Sequence, residues 1–299
     1  MTRAASLTKG IGSICSVSAV FALLLSIGCG GGGNGASEGS GGGSGSGGSS
    51  NMAGNGGASA NPNLGKFSFF LISVGAVRTL SGSKDGFGGD LRFGETGEGA
   101  GLRGADKICA KAAELGMPGA GAKTWRAFLS TTSGGPDGGP VHAKDRVGNG
   151  PWYDALGRLV ASDLTQLLKD RPGDADLAIR NDLPNEYGTP NHMDGAPGCS
   201  GSSCPDNHQV LTGTGIDGAL YTGTTPLTDA TCNDWTSSEA SGHPRSGHSW
   251  PRAGSGSNWM SAYDGTGCAP CALAVGGSVE KCVGSTGGYG GFYCLAVSN

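Results

Sequence analysis

Ten cysteines are spread over the 299 residues, and eight of them lie beyond residue 100. The other two indicate where those eight must fold. Cys15 sits inside an apolar run, Ile11 to Ile27, that follows Arg3 and Lys9 and ends in small residues. This is the pattern of a bacterial secretory signal rather than of a spanning helix. An exported chain with an even set of cysteines is predicted to build a disulfide framework, because the compartment it enters is oxidising. Their spacing alone leaves the pairing open.

The segment Leu25-Ser26-Ile27-Gly28-Cys29 resembles a lipobox, with Ser26 where that motif usually carries Leu. Cleavage before Cys29 and acylation of its thiol are expected, so residues 1–28 read as signal peptide. Gly30 follows where an Asp would retain a lipoprotein at the inner membrane, and the expected address is the outer membrane or cell surface. From Cys29 to Gly65 the chain is almost entirely Gly, Ser, Asn and Ala without apolar periodicity. Such a segment buries too little to offset its ordering entropy and acts as a tether of roughly 30–35 Å. Residues 66–299 are enough for one domain with a sizeable core. Net charge is −4 and Lys and Arg are scattered singly, which leaves no electrostatic footprint for nucleic acid or a sulfated polysaccharide.

Within that domain, Ile108, Cys109, Ala112 and Leu115 recur on one face of a predicted helix, Ala105 to Leu115. Asp106 is expected in its first turn and Gly116 at its left-handed end. Trp125, Ala127 and Leu129 then alternate with Arg126, Phe128 and Ser130, the period of a strand. The words RGAD (Arg103 to Asp106), Cys109 three residues later, and WRAFLS (Trp125 to Ser130) closely resemble the endostatin domain at the end of collagens XV and XVIII, and related lectin-like domains of bacterial lipoproteins. The resemblance resumes in the same order at TGTGIDGALY (Thr212 to Tyr221), TCNDWTSS (Thr231 to Ser238) and GYGGFYCLAVSN at the end, and covers roughly Lys66 to Asn299 with long insertions.

What this resemblance implies is an α+β class and a C-type-lectin-like fold: a mixed sheet with flanking helices, first and last strands paired, and long disulfide-braced loops that carry binding. It also implies the bridges Cys109–Cys294 and Cys232–Cys268, with Cys199–Cys204 and Cys271–Cys282 as local additions. The amino-terminal His-rich zinc site and clustered-Arg heparin surface of the vertebrate domains have no counterpart, since no His precedes His142 and the basic residues are dispersed.

Between the matching halves, the residues predict a turn at Gly148-Asn149-Gly150, a hairpin from Trp152 to Val160, and a short helix capped by Ser162 with Leu164, Leu167 and Leu168 inward. Ile179 to Gly198 is broken by Pro and Gly and reads as a long loop. It carries Asp182, Asn185, Glu186, Asn191 and Asp194, hard oxygen ligands of the kind Ca²⁺ takes. Their spacing matches no EF-hand, and the competing reading has them satisfy loop backbone as Asx-turns. Trp250, Trp259 and Tyr263, with Asn233 and Asp234 beside Cys232, are the ligand-binding candidates. Rings beside hydrogen-bonding groups suit a carbohydrate or peptide, while the competing reading places Trp235 and Trp259 in the core.

Cys268 and Cys271 have C-x-x-C spacing, but no thioredoxin-like unit surrounds them, and a four-thiolate zinc site with Cys199 and Cys204 ranks below disulfides in this compartment. Zincin, nucleophile-elbow and Walker motifs are absent. His243 and His248 come without a placed carboxylate, so no catalytic residue is assigned. The sequence therefore reads as a lipid-anchored binding module for a glycan or protein ligand rather than an enzyme. The alternatives are a structural envelope lipoprotein and an enzyme on a lectin-like fold.

Overall fold

In the computed structural model, which describes residues 61–195, 205–251, 258–273 and 281–297, the last strand is the middle strand of a three-stranded sheet that separates two cores. That strand, β8 (Tyr293–Ala296), pairs antiparallel with β1 (Phe69–Leu71) on one side and β2 (Trp125–Ala127) on the other, so that Phe70, Cys294 and Ala127 are in register. Strand periodicity divides these residues between two cores. Phe70, Trp125, Ala127, Cys294 and Ala296 face the first core, while Phe69, Leu71, Tyr293 and Leu295 face the second. The sheet is buried on both faces.

Helix α1 (Val74–Ser81) follows β1 directly, and α2 (Ala100–Gly116) lies on the first core with Ile108, Cys109, Ala112 and Ala113 inward. The helix is longer than its apolar repeat predicts, because two glycines hide its first turn. A Cβ on Gly101 would stand 2.2 Å from the Asp234 carbonyl oxygen, and one on Gly104 would stand 2.1 Å from that of Leu91. Only glycine permits those approaches. Three expectations are corrected accordingly. Asp106 lies beyond the first turn, Gly116 remains helical with Met117 extended after it, and Leu115 is 44% exposed while Met117 is buried in its stead. Asp106 serves a different purpose: its carboxylate accepts from Ala127 N–H at 2.9 Å and pairs with Arg146 at 2.7 Å and Arg126 at 3.1 Å, tying α2 to β2.

The second core is closed by α3 (Ala143–Arg146), the hairpin β3 (Trp152–Tyr153) and β4 (Leu159–Ala161), and α4 (Leu164–Leu167). The cap of α4 is Asp163, whose side chain accepts from Gln166 N–H at 2.9 Å, one residue after the expected Ser162. A third sheet joins β5 (Gln209–Leu211), β6 (Arg245–His248) and β7 (Tyr263–Asp264) in antiparallel order. Helix α5 (Leu227–Ala230) precedes a turn at Cys232, Asn233, Asp234 and Trp235 with φ of 46°, 54°, 55° and 62°. Left-handed backbone costs roughly 1–2 kcal/mol per residue away from glycine, so this turn must be held from outside.

Its restraints are the bond from Cys232 to Cys268, the buried Trp235 whose Nε1 donates to Ser130 O at 2.8 Å, and Asp234, which accepts from Thr132 N–H at 2.7 Å and from the Thr132 and Ser133 hydroxyls. The described disulfides are Cys109–Cys294, Cys232–Cys268 and Cys271–Cys282. The first joins α2 to the central strand across 185 residues, a loop for which the chain-entropy account gives about 5 kcal/mol. Cys268 and Cys271 thus have separate partners and form no redox dithiol. Cys29 and the Cys199–Cys204 pair lie outside the described residues. No described helix is long and apolar enough to cross a membrane.

Candidate functional site

The loop side chains offered as calcium ligands are engaged with the protein's own donors, and Glu186 and Asp194 share the start of α1. Glu186 is buried, and its Oε2 accepts from Ser73 N–H at 2.8 Å while its Oε1 accepts from the Ser73 hydroxyl at 2.5 Å. Asp194 Oδ2 accepts from Val74 N–H at 2.8 Å. These contacts satisfy backbone donors at the start of α1, where a helix leaves N–H groups without intrahelical partners. Asn185 Oδ1 accepts from Tyr187 and Thr189 N–H, an Asx-turn, and Asp182 pairs with the His192 ring. Asn191 Nδ2 donates to Asn207 O at 2.9 Å and Ser249 Oγ at 2.7 Å. Each of the five side chains thus has hydrogen-bond partners within the protein. Among the described residues no group of three or more His, Cys, Asp or Glu is placed to hold a metal ion, and the contacts of these five side chains accord with the competing reading, in which they satisfy loop and helix-end backbone.

Burial has an electrostatic consequence here. Desolvation pushes the Glu186 carboxyl up to about 7, and burial likewise raises Asp182 and Asp194. The single hydroxyl hydrogen of Tyr289, also buried, is shared between Ile72 O at 2.8 Å and Asn191 Oδ1 at 3.0 Å, closing the network on the side of β8.

The aromatic candidates separate. Trp259 is a core residue: it is fully buried among Phe69, Phe128 and Tyr293, and its Nε1 donates to Leu167 O at 3.0 Å. Its ring is needed to fill the second core, so it is withdrawn as a ligand contact. Asp234 is withdrawn too, since its carboxylate is occupied in holding the left-handed turn. Asn233 is exposed and lines a recess of about 210 Å³ beside the Cys232–Cys268 bond, apart from the rings.

Trp250 and Tyr263 do come together, through a residue that the sequence reading passed over. His208 precedes β5, and its ring meets His248 at 4.3 Å, Trp250 at 5.5 Å and Tyr263 at 6.1 Å between centroids. Cross-strand register explains the grouping, because Gln209 pairs with His248 and Ser246 with Tyr263 on one face of the third sheet. A polar chain borders the rings. Gln209 Nε2 donates to Ser246 Oγ at 3.1 Å, Thr286 Oγ1 to Gln209 Oε1 at 2.5 Å, and Tyr263 OH to Thr286 Oγ1 at 2.9 Å. Trp250 Nε1 donates to Asn207 Oδ1 at 2.9 Å. Trp250 and Tyr263 remain half-buried, so each keeps part of its ring at the surface.

His208 itself is buried, and desolvation lowers its pKa to about 4. A neutral ring whose Nδ1 meets the Asp206 carboxylate carries its proton there and leaves Nε2 as an acceptor. The signal that could have found this residue is Asp206-x-His208 immediately ahead of the apolar strand Val210-Leu211, a carboxylate and an imidazole at a buried sheet end. No protein-family model matches this chain, and no curated protein matches it in sequence.

Proposed function

We propose that the protein is a lipid-anchored surface binding module, with an endostatin-like, C-type-lectin-like domain, that engages a glycan or protein ligand over Trp250, Tyr263 and the polar chain beside them. The observation that carries this reading is the convergence of two half-buried rings with Gln209, Thr286 and His208 at one end of the third sheet. Aromatic faces supply contact area at small entropic cost, and fixed hydroxyl and amide groups supply direction, which is the composition of a sugar or peptide site. Support for the lectin-like fold comes from the pairing of first and last strands and from the Cys109–Cys294 and Cys232–Cys268 bonds, which are the features the resemblance implies. The anchor rests on the apolar run and on Cys29.

A glycan array with the full mature protein, followed by tryptophan-fluorescence titration, tests the reading. Trp250→Ala is expected to weaken a hit about tenfold or more, in keeping with an aromatic anchor, and mass spectrometry is expected to find an acylated Cys29. Hits that are indifferent to Trp250 and to Tyr263→Ala sink the site assignment. One observation favours a second reading, an enzyme: the Asp206–His208 pair orients an imidazole with a free acceptor nitrogen, as general bases require. No nucleophile is set against it in the described contacts, and turnover of a bound ligand that His208→Gln abolishes would move the assignment to catalysis.

A further inference from the structure

At the margin of the first sheet where the chain enters β1 and β2 and leaves β8 lies a pocket of about 400 Å³. Its walls are tied by backbone. Ala296 N–H donates to Ser68 O at 2.9 Å, Val297 N–H to Thr124 O at 2.9 Å, and Tyr153 N–H to Ser68 Oγ at 2.9 Å. The volume falls in the range of small-molecule sites, roughly 300–1,000 Å³.

Its charge is one-sided. Lys66 and Lys123 line it, no Asp or Glu does, and neither lysine belongs to a salt bridge among the described residues, in a chain whose net charge is −4. Lys123 Nζ is half-buried and donates to Phe67 O at 2.7 Å and Gly65 O at 3.1 Å, which fixes its direction and leaves one ammonium hydrogen. Burial lowers its pKa, an effect that an incoming anion would offset. Lys66 Nζ lies 5.4 Å from the centre of the Tyr153 ring and has no hydrogen bond among the described residues. Pro151, Ala296 and Val297 form apolar wall. The lining contains no Arg fork or helix N-terminus of the kind that cradles phosphate.

We propose that this pocket binds a small organic carboxylate, its charge between Lys66 and Lys123 and its apolar or ring body against Tyr153, Pro151 and Val297. The site is separate from the Trp250 face and stands or falls without it. The test titrates the full-length protein by calorimetry with benzoate, glucuronate, benzamide and inorganic phosphate, alongside the rate of Lys123 acetylation by an amine-reactive ester. The expected result is that one or both acids bind at roughly millimolar affinity or better, as suits ligands of so few atoms, and slow Lys123 acetylation. Benzamide and phosphate are expected to bind about tenfold more weakly, and Lys123→Met or Lys66→Gln to remove most of the acid's advantage, because a charge-assisted hydrogen bond is worth about that factor. Lys66 is exposed, so its variant folds even where loss of the Lys123 contacts does not permit folding. Equal binding of benzoate and benzamide, phosphate binding as tightly as the acids, no binding of either acid, or acid binding untouched by Lys66→Gln overturns the proposal.

Discussion

Glu186 and His208 occupy neighbouring parts of one hydrogen-bond network and present opposite problems to it. Each is a titratable group taken out of water, and desolvation drives each toward its neutral form: the carboxyl up to about 7 and the imidazole down to about 4. No Lys or Arg acts on Glu186, whereas Asp106, which also ties backbone, has two arginines against it; His208 does have a carboxylate, Asp206, at its Nδ1, and burial still sets the direction of its shift. Desolvation disfavours the charged form of a group of either sign, and the polar region between α1 and the third sheet is uncharged at these two positions between about pH 4 and about pH 7.

The two contributions to stability run in opposite directions with pH. Glu186 has its folded pKa raised from 4.5, so the native state holds a proton that the unfolded chain releases. Its contribution is fully present below pH 4.5 and is lost as pH rises through about 7, a span worth about 3 kcal/mol. His208 has its folded pKa lowered from 6.5, so its contribution is present above pH 6.5 and is lost as pH falls through about 4, again about 3 kcal/mol. Asp194 and Asp182 add to the first trend, since both are raised.

The largest break in this balance comes from Glu186→Ala. It leaves the Ser73 N–H and hydroxyl buried without acceptors and opens a void, at a cost of about 3–5 kcal/mol below pH 5. Urea unfolding at pH 5 measures it, and a loss under 1 kcal/mol would show that Glu186 does not hold α1. Glu186→Gln is the sharper instrument, because the amide keeps the shape and the neutral hydrogen bonds. It is expected to match the parent within about 1 kcal/mol at pH 5 and to exceed its stability by about 2–3 kcal/mol at pH 8. A variant equally sensitive to pH from 5 to 8 would remove Glu186 as the source of the trend.

On the other side of the comparison, His208→Gln is expected to cost about 1–2 kcal/mol at pH 7 through lost ring contacts. Its stability should then fall less than the parent's between pH 6.5 and 4. If the acid-side fall persists undiminished, His208 is not its source, and carboxylates held low, such as Glu95 and Glu114, account for it.

What the sequence could express of this molecule follows from where its residues repeat. The alternation of Trp125, Ala127 and Leu129 with Arg126, Phe128 and Ser130 is a strand period, and it reads onto the two cores directly, with the first three in one and Phe128 in the other. The cysteine pairs that the resemblance implied, Cys109–Cys294 and Cys232–Cys268, are formed. The start of α2 was illegible because Gly101 and Gly104 are chosen for contacts with Asp234, Trp235, Leu91 and Arg92, distant in sequence or outside any apolar period. Loop carboxylates read as calcium ligands for a similar reason. Composition reports that oxygen atoms are present, but not that the Ser73 and Val74 N–H groups, over a hundred residues away, will take them. Trp259 and Trp250 look alike in sequence, and only the placement of Phe128 and Tyr293 assigns one to the core and leaves the other half at the surface.

The smallest expected effect decides whether the two sites act as one. Asn207 is the link: its Nδ2 donates to the carbonyls of Asn191 and Asp194, and its Oδ1 accepts from Trp250 Nε1, whose ring lies against His208. Asp194 in turn shares the start of α1 with Glu186. Residues joined by one hydrogen-bond network couple by about 0.5–3 kcal/mol, while independent sites add within about 0.3–0.5. Because Asn207 reaches Glu186 only through Asp194, the coupling between Glu186→Gln and His208→Gln belongs at the low end, about 0.5–1 kcal/mol at pH 6. A double-mutant cycle measures it, and repeating the cycle in an Asn207→Ala background should lower it, leaving only the route through Asn191 and Ser249. Strict additivity in the parent background would mean that the two buried groups are neutralised separately, each by its own desolvation, with Asn207 serving the Trp250 ring alone.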